Sequence, residues 1–303
     1  MQLPLSWADS SMRLCVLGSG SSGNALVVES GTRRLMVDAG FSCRELEKRL
    51  KLAELQPDGL DALILTHEHS DHCRGASLLA RRYGLEVYAT EGTLEKLAPV
   101  FKGVTTHRIS SGSILDLGKF QVEPFAIPHD AAEPVGLVIE DEGGNRLGLA
   151  ADLGTCSRLA WGRLVDLDFL VIETNHDLEM LRSGPYPWSL KQRIAGRYGH
   201  LSNREASQGI PELLSDRLRW VVLYHLSRTN NDPVLAAESI AEELEREGSG
   251  ATICVTHQVE PTSWLELEGV PDASTDKMRS AAAVTPLRKI ESPAPSSIAP
   301  ESE

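Results

Sequence analysis

The chain has no uninterrupted apolar run of about 18 residues, the length a membrane-spanning helix needs. Its opening residues, MQLPLSWADSSM, lack a basic stretch followed by an apolar core, so no secretory signal is read. The five cysteines (Cys15, Cys43, Cys73, Cys156, Cys254) form no CxxC pair. That excludes a zinc ribbon or a disulfide framework and suits reduced thiols, predicting a cytoplasmic protein without membrane attachment. Cationic excess is missing too. Thirty Lys and Arg stand against 43 Asp and Glu, a net charge of −13, which excludes a broad basic face for nonspecific nucleic-acid binding. It leaves room for a small basic site that grips one phosphate end. No internal repeat with a period of roughly 20–50 residues is visible, and nothing indicates the oligomeric state.

With 303 residues, 41% of them hydrophobic, the chain can build one large domain or two small ones. Residues 1–11 show no periodic pattern and read as an N-terminal extension. From about Val270 the sequence turns to Pro, Ser, Ala and Thr, which predicts a disordered tail over 270–303. The folded domain is expected over 12–269. There RLCVLG, ALVVES and RLMVDAG read as strands. Ser42 caps a helix through RELEKRL, and LDALILT is a short apolar strand. Asp71 opens one helix that runs to Gly84, followed by the strand EVYAT. A β-rich stretch comes next (SILDLGKFQVEPFAI, PVGLVIED, RLGLAAD), then LDFLVIET as a buried strand. Helices are expected near 176–182, 188–197 and 203–215. RWVVLYH is a strand, PVLAAESIAEELERE a helix and TICVTH the last strand. Strands in runs with helices interleaved predict an α/β fold of two sheets with helices outside.

One stretch carries chemistry at once. LTHEHSDHCRG places His67 and His69 two residues apart at the end of an apolar strand, so both imidazoles can meet one metal. Asp71 and His72 follow at a helix start and can serve a second. Two metals about 3.5–4 Å apart can share a bridging hydroxide and clamp both oxygens of a displaced ester. Position 71 is Asp, so this is not the zincin HExxH. Three further candidates each end a strand: His129 after FAIP, Asp152 after LGLA and His225 after VVLY. A strand end is where side chains converge on one rim of a sheet. His129 would complete the His67/His69 metal, His225 the Asp71/His72 metal, and Asp152 would bridge. Imidazole and carboxylate ligands suit Zn, Mn and Fe alike, so two divalent metal ions are expected without a choice among them.

The order HxHxDH, His, Asp, His resembles that of the metallo-β-lactamase-fold hydrolases, across about residues 12–268. This implies an αββα sandwich with a dinuclear metal site at the rim of the two sheets. LGSGSSGNALVV, THEHSDH, PHDAAEPVG, ETNHD, YPWSLKQRI, GHLSN and HLSRTNND, in that order, are similar to the WalJ/YycJ-like 5′–3′ exodeoxyribonucleases. True β-lactamases usually carry Cys where Asp152 stands, and flavodiiron proteins carry Glu where His69 stands, which disfavours both chemistries. The resemblance implies a phosphodiester hydrolase, an exonuclease on single-stranded DNA that uses a metal-bridging hydroxide, with Asp71 also orienting that hydroxide. The tRNA-processing nucleases of this fold have a segment similar to GHLSN, which implies that His200 is the general acid and Glu173 its carboxylate partner. On the residues alone, a capping network for His200 and a helix-start acid for Glu173 stay open.

The loop Gly18–Asn24 could present backbone N–H groups to a phosphate, with Ser21, Ser22 and Asn24 touching substrate, or be only a turn. Arg228, directly after His225, is the natural phosphate clamp. Ser202, Asn203, Asn231 and His176 are the other expected substrate contacts. Cys73 lies about 100° from His72 on a helix and reads as packing. The alternatives are a glyoxalase II-like hydrolase of esters, thioesters or lactones, and an RNA-processing nuclease.

Overall fold

Nearly every strand in the centre of the fold is buried on both faces, and that decides the architecture. In the chain, described over residues 12–267 by a computed structural model, β1 (Arg13–Gly18), β2 (Ala25–Ser30) and β3 (Arg33–Val37) are followed by α1 (Cys43–Leu52) and β4 (Ala62–Ile64). Then come α2 (Ser70–Cys73), α3 (Ala76–Tyr83), β5 (Glu86–Thr90), α4 (Glu91–Leu97) and β6 (Thr106–Ile109). The second half contains β7 (Leu115–Asp116), β8 (Phe120–Ala126), β9 (Val135–Asp141), β10 (Arg146–Ala150), α5 (Arg158–Trp161) and β11 (Phe169–Glu173). It continues with α6 (Leu178–Ser183), α7 (Trp188–Ile194), α8 (Asn203–Leu213), β12 (Trp220–Tyr224), α9 (Pro233–Arg246), β13 (Thr252–Val255) and β14 (Leu265–Glu266). The expected extension over 1–11 and tail over 270–303 lie outside the described residues.

The strands form two mixed sheets, β14-β1-β2-β3-β4-β5-β6 and β13-β12-β11-β10-β9-β8-β7. Side chains alternate between faces along a strand. Leu14, Val16, Leu26 and Val28 of the first sheet therefore meet Phe120, Leu137, Leu149 and Val171 of the second in a shared inner core. The intervening Cys15, Leu17 and Val27 pack under α1 and α3, and Leu170, Ile172 and Val221 pack under α8 and α9. This is the expected αββα sandwich. Strands covered on both faces read as continuous apolar runs rather than alternating ones.

Three local expectations are corrected. The helix from Asp71 to Gly84 is two helices, α2 and α3, with the break before Ala76. A Cβ on Gly75 would sit 2.4 Å from the Phe41 carbonyl oxygen, so the main chain passes too close for a regular side-chain-bearing turn. The helix over 188–197 ends at Ile194, and TICVTH is not the last strand, because β14 returns to pair antiparallel with β1. The short α4 and α5 were not read from the sequence. Elsewhere the Ser42 cap acts as expected, its hydroxyl accepting from the Glu45 amide, and Ser202 and Glu205 add a reciprocal capping box.

Candidate metal centre and active site

Within the first sheet β1, β3 and β4 run the same way, and within the second β8, β10, β11 and β12 do. The residues that leave their C-terminal ends are Ser19, Asp38, the His67 cluster, His129, Asp152, Glu173 and His225. All converge on one rim, the usual place for a site in a sheet with parallel strands. Asp38, Asp152 and His225 have φ values of 60°, 54° and 58°, a left-handed turn that swings each side chain inward just past its strand. For His225 this conformation costs on the order of 1 kcal/mol or more, the kind of local strain that clusters at functional sites. The His225 amide donates to the Ser19 hydroxyl at 2.7 Å, which pins the turn.

The expected ligands come together in two groups. His67, His69 and His129 form one; Asp71, His72 and His225 form the other; Asp152 reaches His67 and His72. In each, the ligand atoms lie within 4.8 Å of one another. The His129 Nε2 is 3.2 Å from His69 Nδ1, His225 Nε2 is 3.3 Å from Asp71 Oδ2, and His72 Nε2 is 2.8 Å from Asp152 Oδ2. His67 Nε2 is buried without a hydrogen-bond partner and stands 4.0 Å from the buried Asp152 Oδ2. Buried polar atoms are ordinarily satisfied, so an unpaired imidazole nitrogen facing a buried carboxylate oxygen 4.0 Å away fits a cation between them.

The opposite ring nitrogens are held from outside. Asp38 Oδ2 lies 2.7 Å from His72 Nδ1, the Thr66 hydroxyl 3.0 Å from His67 Nδ1, the Gly199 carbonyl 3.2 Å from His129 Nδ1, and Glu173 Oε1 2.9 Å from His225 Nδ1. Such partners set the tautomer that leaves Nε2 free for a metal. Asp38 also accepts from the Thr66 amide and hydroxyl. Sequence reasoning missed Asp38 and Thr66, although Asp38 carries the signal that found Asp152: a carboxylate directly after an apolar strand.

Charge follows the same geometry. Burial and the neighbouring His72 hold His67 well below its usual pKa. Burial would depress His72 and His225 as well, but the surrounding carboxylates, Asp152 foremost, together outweigh it, lifting His72 well above its ordinary value and His225 to about 9. Asp152, despite burial, is kept well below the usual carboxylate range, first by His225 and then by His72.

Glu173 and His200 also meet. His200 Nδ1 is 2.8 Å from Glu173 Oε1 and 3.2 Å from Asp152 Oδ1. Glu173 is wholly buried, and its other oxygen accepts from the Leu153 and Leu201 amides at 2.7 and 3.2 Å. Neither alternative role holds: Ser202, not His200, caps α8, and Glu173 ends β11 rather than starting a helix. Burial works against a charged His200, but Glu173 and Asp152 together outweigh it and raise it well above its ordinary pKa.

A cavity of about 360 Å³ opens over the ligands, lined among others by Ser21, Asp71, His129, Asp152, His200 and His225. Its far wall is Tyr186, Leu190, Arg193 and Ile194, all within the YPWSLKQRI motif, to which the sequence assigned no role. Of the expected substrate contacts, Ser21 is in this cavity. Arg228 lies in an adjoining cavity of about 220 Å³ that shares Ser227 with the first. Asn231 lines that second cavity as well, and the remaining expected contacts line neither. Asn24 is fully buried, and its side-chain carbonyl accepts from the Gly20 amide while its amide nitrogen reaches the Asp71 carbonyl, so it ties the loop to the ligand segment. Ser22 is exposed outside the cavity, and its backbone amide donates to Gln258. Ser202 is buried as a helix cap. Asn203 and Asn231 exchange two side-chain hydrogen bonds at 2.8 and 2.9 Å and are buried against each other. His176 is buried away from the cavity beside Ser202. Cys73 donates to the Glu68 carbonyl, in keeping with a packing role.

The profile described as Beta-lactamase superfamily domain matches residues 33–226. Exodeoxyribonuclease YycJ of Bacillus anthracis is 38% identical over 242 residues, covering 79% of this chain and 91% of that protein. Exodeoxyribonuclease WalJ of Streptococcus pneumoniae is 36% identical over 244 residues, covering 78% and 90%. Among solved structures, the metallo-β-lactamase fold protein YhfI of Bacillus subtilis superposes with a TM-score of 0.66 at 18% identity, covering 84% of this chain and 99% of that one. That last likeness concerns the fold.

Proposed function

This chain belongs to the β-lactamase superfamily and is a hydrolase, and from that premise we propose that it is a metal-dependent exodeoxyribonuclease acting on single-stranded DNA. The observation that carries the reading is the Glu173–His200 pair beside the ligand cluster. A protonated imidazole next to the reacting atoms serves a reaction whose leaving group is a poor one, as an alkoxide leaving phosphorus is. A thioester or lactone hydrolase gains far less from it. The two relatives named as exodeoxyribonucleases support the same substrate class.

His67, His69, His129 and Asp152 would hold one divalent cation, and Asp71, His72, His225 and Asp152 the other, with Zn, Mn and Fe all suited to these ligands. When bound, such cations supply Lewis acidity and acidify a water toward neutrality. Asp71, on the open side of the cluster, orients that water. Asp38, Thr66 and Glu173 keep the imidazoles aimed. His200 gives its proton to the departing oxygen, and Glu173 supports the imidazolium before transfer. Ser21 in the cavity and Arg228 beyond Ser227 are the groups proposed to take a 5′-terminal phosphate, which sets a 5′–3′ direction.

End-labelled single strands with a 5′-phosphate or a 5′-hydroxyl, a thioester and a lactone, all offered to one metal-loaded sample, test the reading. The expected result is mononucleotide release from the phosphorylated 5′ end. Release from the 3′ end overturns the polarity, cleavage of RNA alone overturns the sugar preference, and turnover of only the carbonyl esters overturns the nuclease assignment.

A further inference from the structure

The segment YPWSLKQRI, which includes α7, supplies no ligand and no proton, yet forms the far wall of the active cavity. Between Arg182 and Tyr198 not one residue is buried. Trp188 is 68% exposed and Tyr198 55%. A seven-residue helix with no buried face gains little from packing and is marginal on its own. Large aromatics left exposed along one short segment mark a surface that something covers.

The charge on this segment runs against the rest of the molecule. From Met180 to Arg204 there are five Arg and Lys and no Asp or Glu, in a chain of net charge −13. Two of these cations are already paired, Arg182 with Glu179 and Arg193 with Asp130. Lys191 donates to the Arg182 carbonyl, and the Arg197 guanidinium stands 5.9 Å from the Tyr198 ring centre; no ion pair engages Lys191 or Arg197 among the described residues. The helix also separates two cavities. Leu190, Arg193 and Ile194 face the ligand cluster, while Trp188, Lys191 and Gln192 face a second cavity of about 410 Å³ backed by Leu178 and Leu181.

We propose that α7 and its flanks are a platform for single-stranded nucleic acid, holding the nucleotides next to the one being cleaved. Trp188 and Tyr198 stack on bases, and Lys191 and Arg197 contact phosphates. Aromatic faces interleaved with cations are the sequence-tolerant way to hold a single strand. Continuity with the active cavity and the local reversal of charge select this occupant over a second copy of the chain, whose remaining surface is acidic. The inference rests on the nuclease reading and adds where the strand lies.

The test uses the metal-loaded full chain and its Trp188→Ala, Trp188→Phe and Lys191→Ala/Arg197→Ala variants. KM is measured for a 5′-phosphorylated twelve-nucleotide strand and for a 5′-phosphorylated dinucleotide, and light scattering gives the oligomeric state. Trp188→Ala should raise the strand-to-dinucleotide KM ratio roughly ten- to hundredfold, the range expected for losing one stacked base, and Trp188→Phe should restore most of it. Losing two phosphate contacts should flatten the log–log salt dependence of strand binding by about 1.4. An unchanged ratio in Trp188→Ala, with the wild-type chain digesting the strand normally, overturns the platform and leaves the nuclease reading standing. A change of oligomeric state in Trp188→Ala assigns the surface to a copy–copy contact and overturns it as well. A wild-type chain that digests no strand at all removes the nuclease reading first, and the platform with it.

Discussion

Glu173 Oε1 sits 2.8 Å from His200 Nδ1 and, at the same time, 2.9 Å from Nδ1 of His225. One buried carboxylate thus couples the group proposed to move a proton to a proposed metal ligand. His200→Ala should keep two metals per chain and slow strand cleavage by about 10²–10⁴-fold, the usual range for losing a general acid. A nitrophenyl phosphodiester, whose leaving group needs no proton, should be affected far less. Equal slowing of both substrates, or loss of a metal, would show a ligand or positioning role instead. Glu173→Gln should act on both neighbours, lowering metal content as well as turnover.

Metal content tests the ligand set directly. Elemental analysis of the loaded chain should give two divalent ions, and His67→Ala should retain fewer and lose turnover. Asp38→Asn probes the outer support, since Asp38 Oδ2 lies 2.7 Å from the buried His72 Nδ1. Metal affinity should fall about 10–100-fold, the cost typical of removing such a partner, as a competition titration with a chelator would reveal.

Metal binding should release protons. In the metal-free chain His225 is lifted to about 9 and His72 is also raised, so both imidazoles are protonated at neutral pH and must lose that proton to bind a cation. Affinity should therefore rise with pH and the His225 contribution should level off above about pH 9. Calorimetry at pH 7 in buffers of different ionisation enthalpy counts the protons. A count of zero would contradict the charge state described for the cluster.

Gly40 should tolerate no side chain. A Cβ there would lie 1.7 Å from the Asp71 carbonyl oxygen and 2.6 Å from the Asn24 amide nitrogen, and both neighbours are main chain that cannot swing aside. Gly40→Ala should destabilise the fold by about 1–3 kcal/mol or more and displace Asp71, seen together as a lowered Tm and reduced metal content.

The ends of the chain should be dispensable for chemistry, because every proposed ligand falls between His67 and His225. Chains starting at Met12, or ending at Pro271, are expected to keep both metals and full turnover. A folded but inactive shortened chain would place an end of the chain in the site.

The proposed ligands His67, His129, Asp152 and His225 could be found without coordinates because each follows an apolar run, and His69, Asp71 and His72 because they crowd directly behind His67. A strand's end is a local property, and in a sandwich the strand ends of both sheets share a rim. What each polar side chain does there is not local. Ser21 and Asn24 lie three positions apart in one loop, yet the first opens to the cavity and the second is spent on Gly20 and Asp71. Asn203 and Asn231 meet across 28 positions, Glu173 and His225 across 52, and their burial depends on which elements the fold stacks over them. The left-handed backbone at His225 is likewise held by a distant neighbour, the Ser19 hydroxyl that accepts from its amide. Periodicity and spacing determined the sheets, the helices outside them and the ligand order. Only the tertiary structure, by choosing which donors and acceptors satisfy one another when water is excluded, separated the residues that line the cavity from those that hold it in shape.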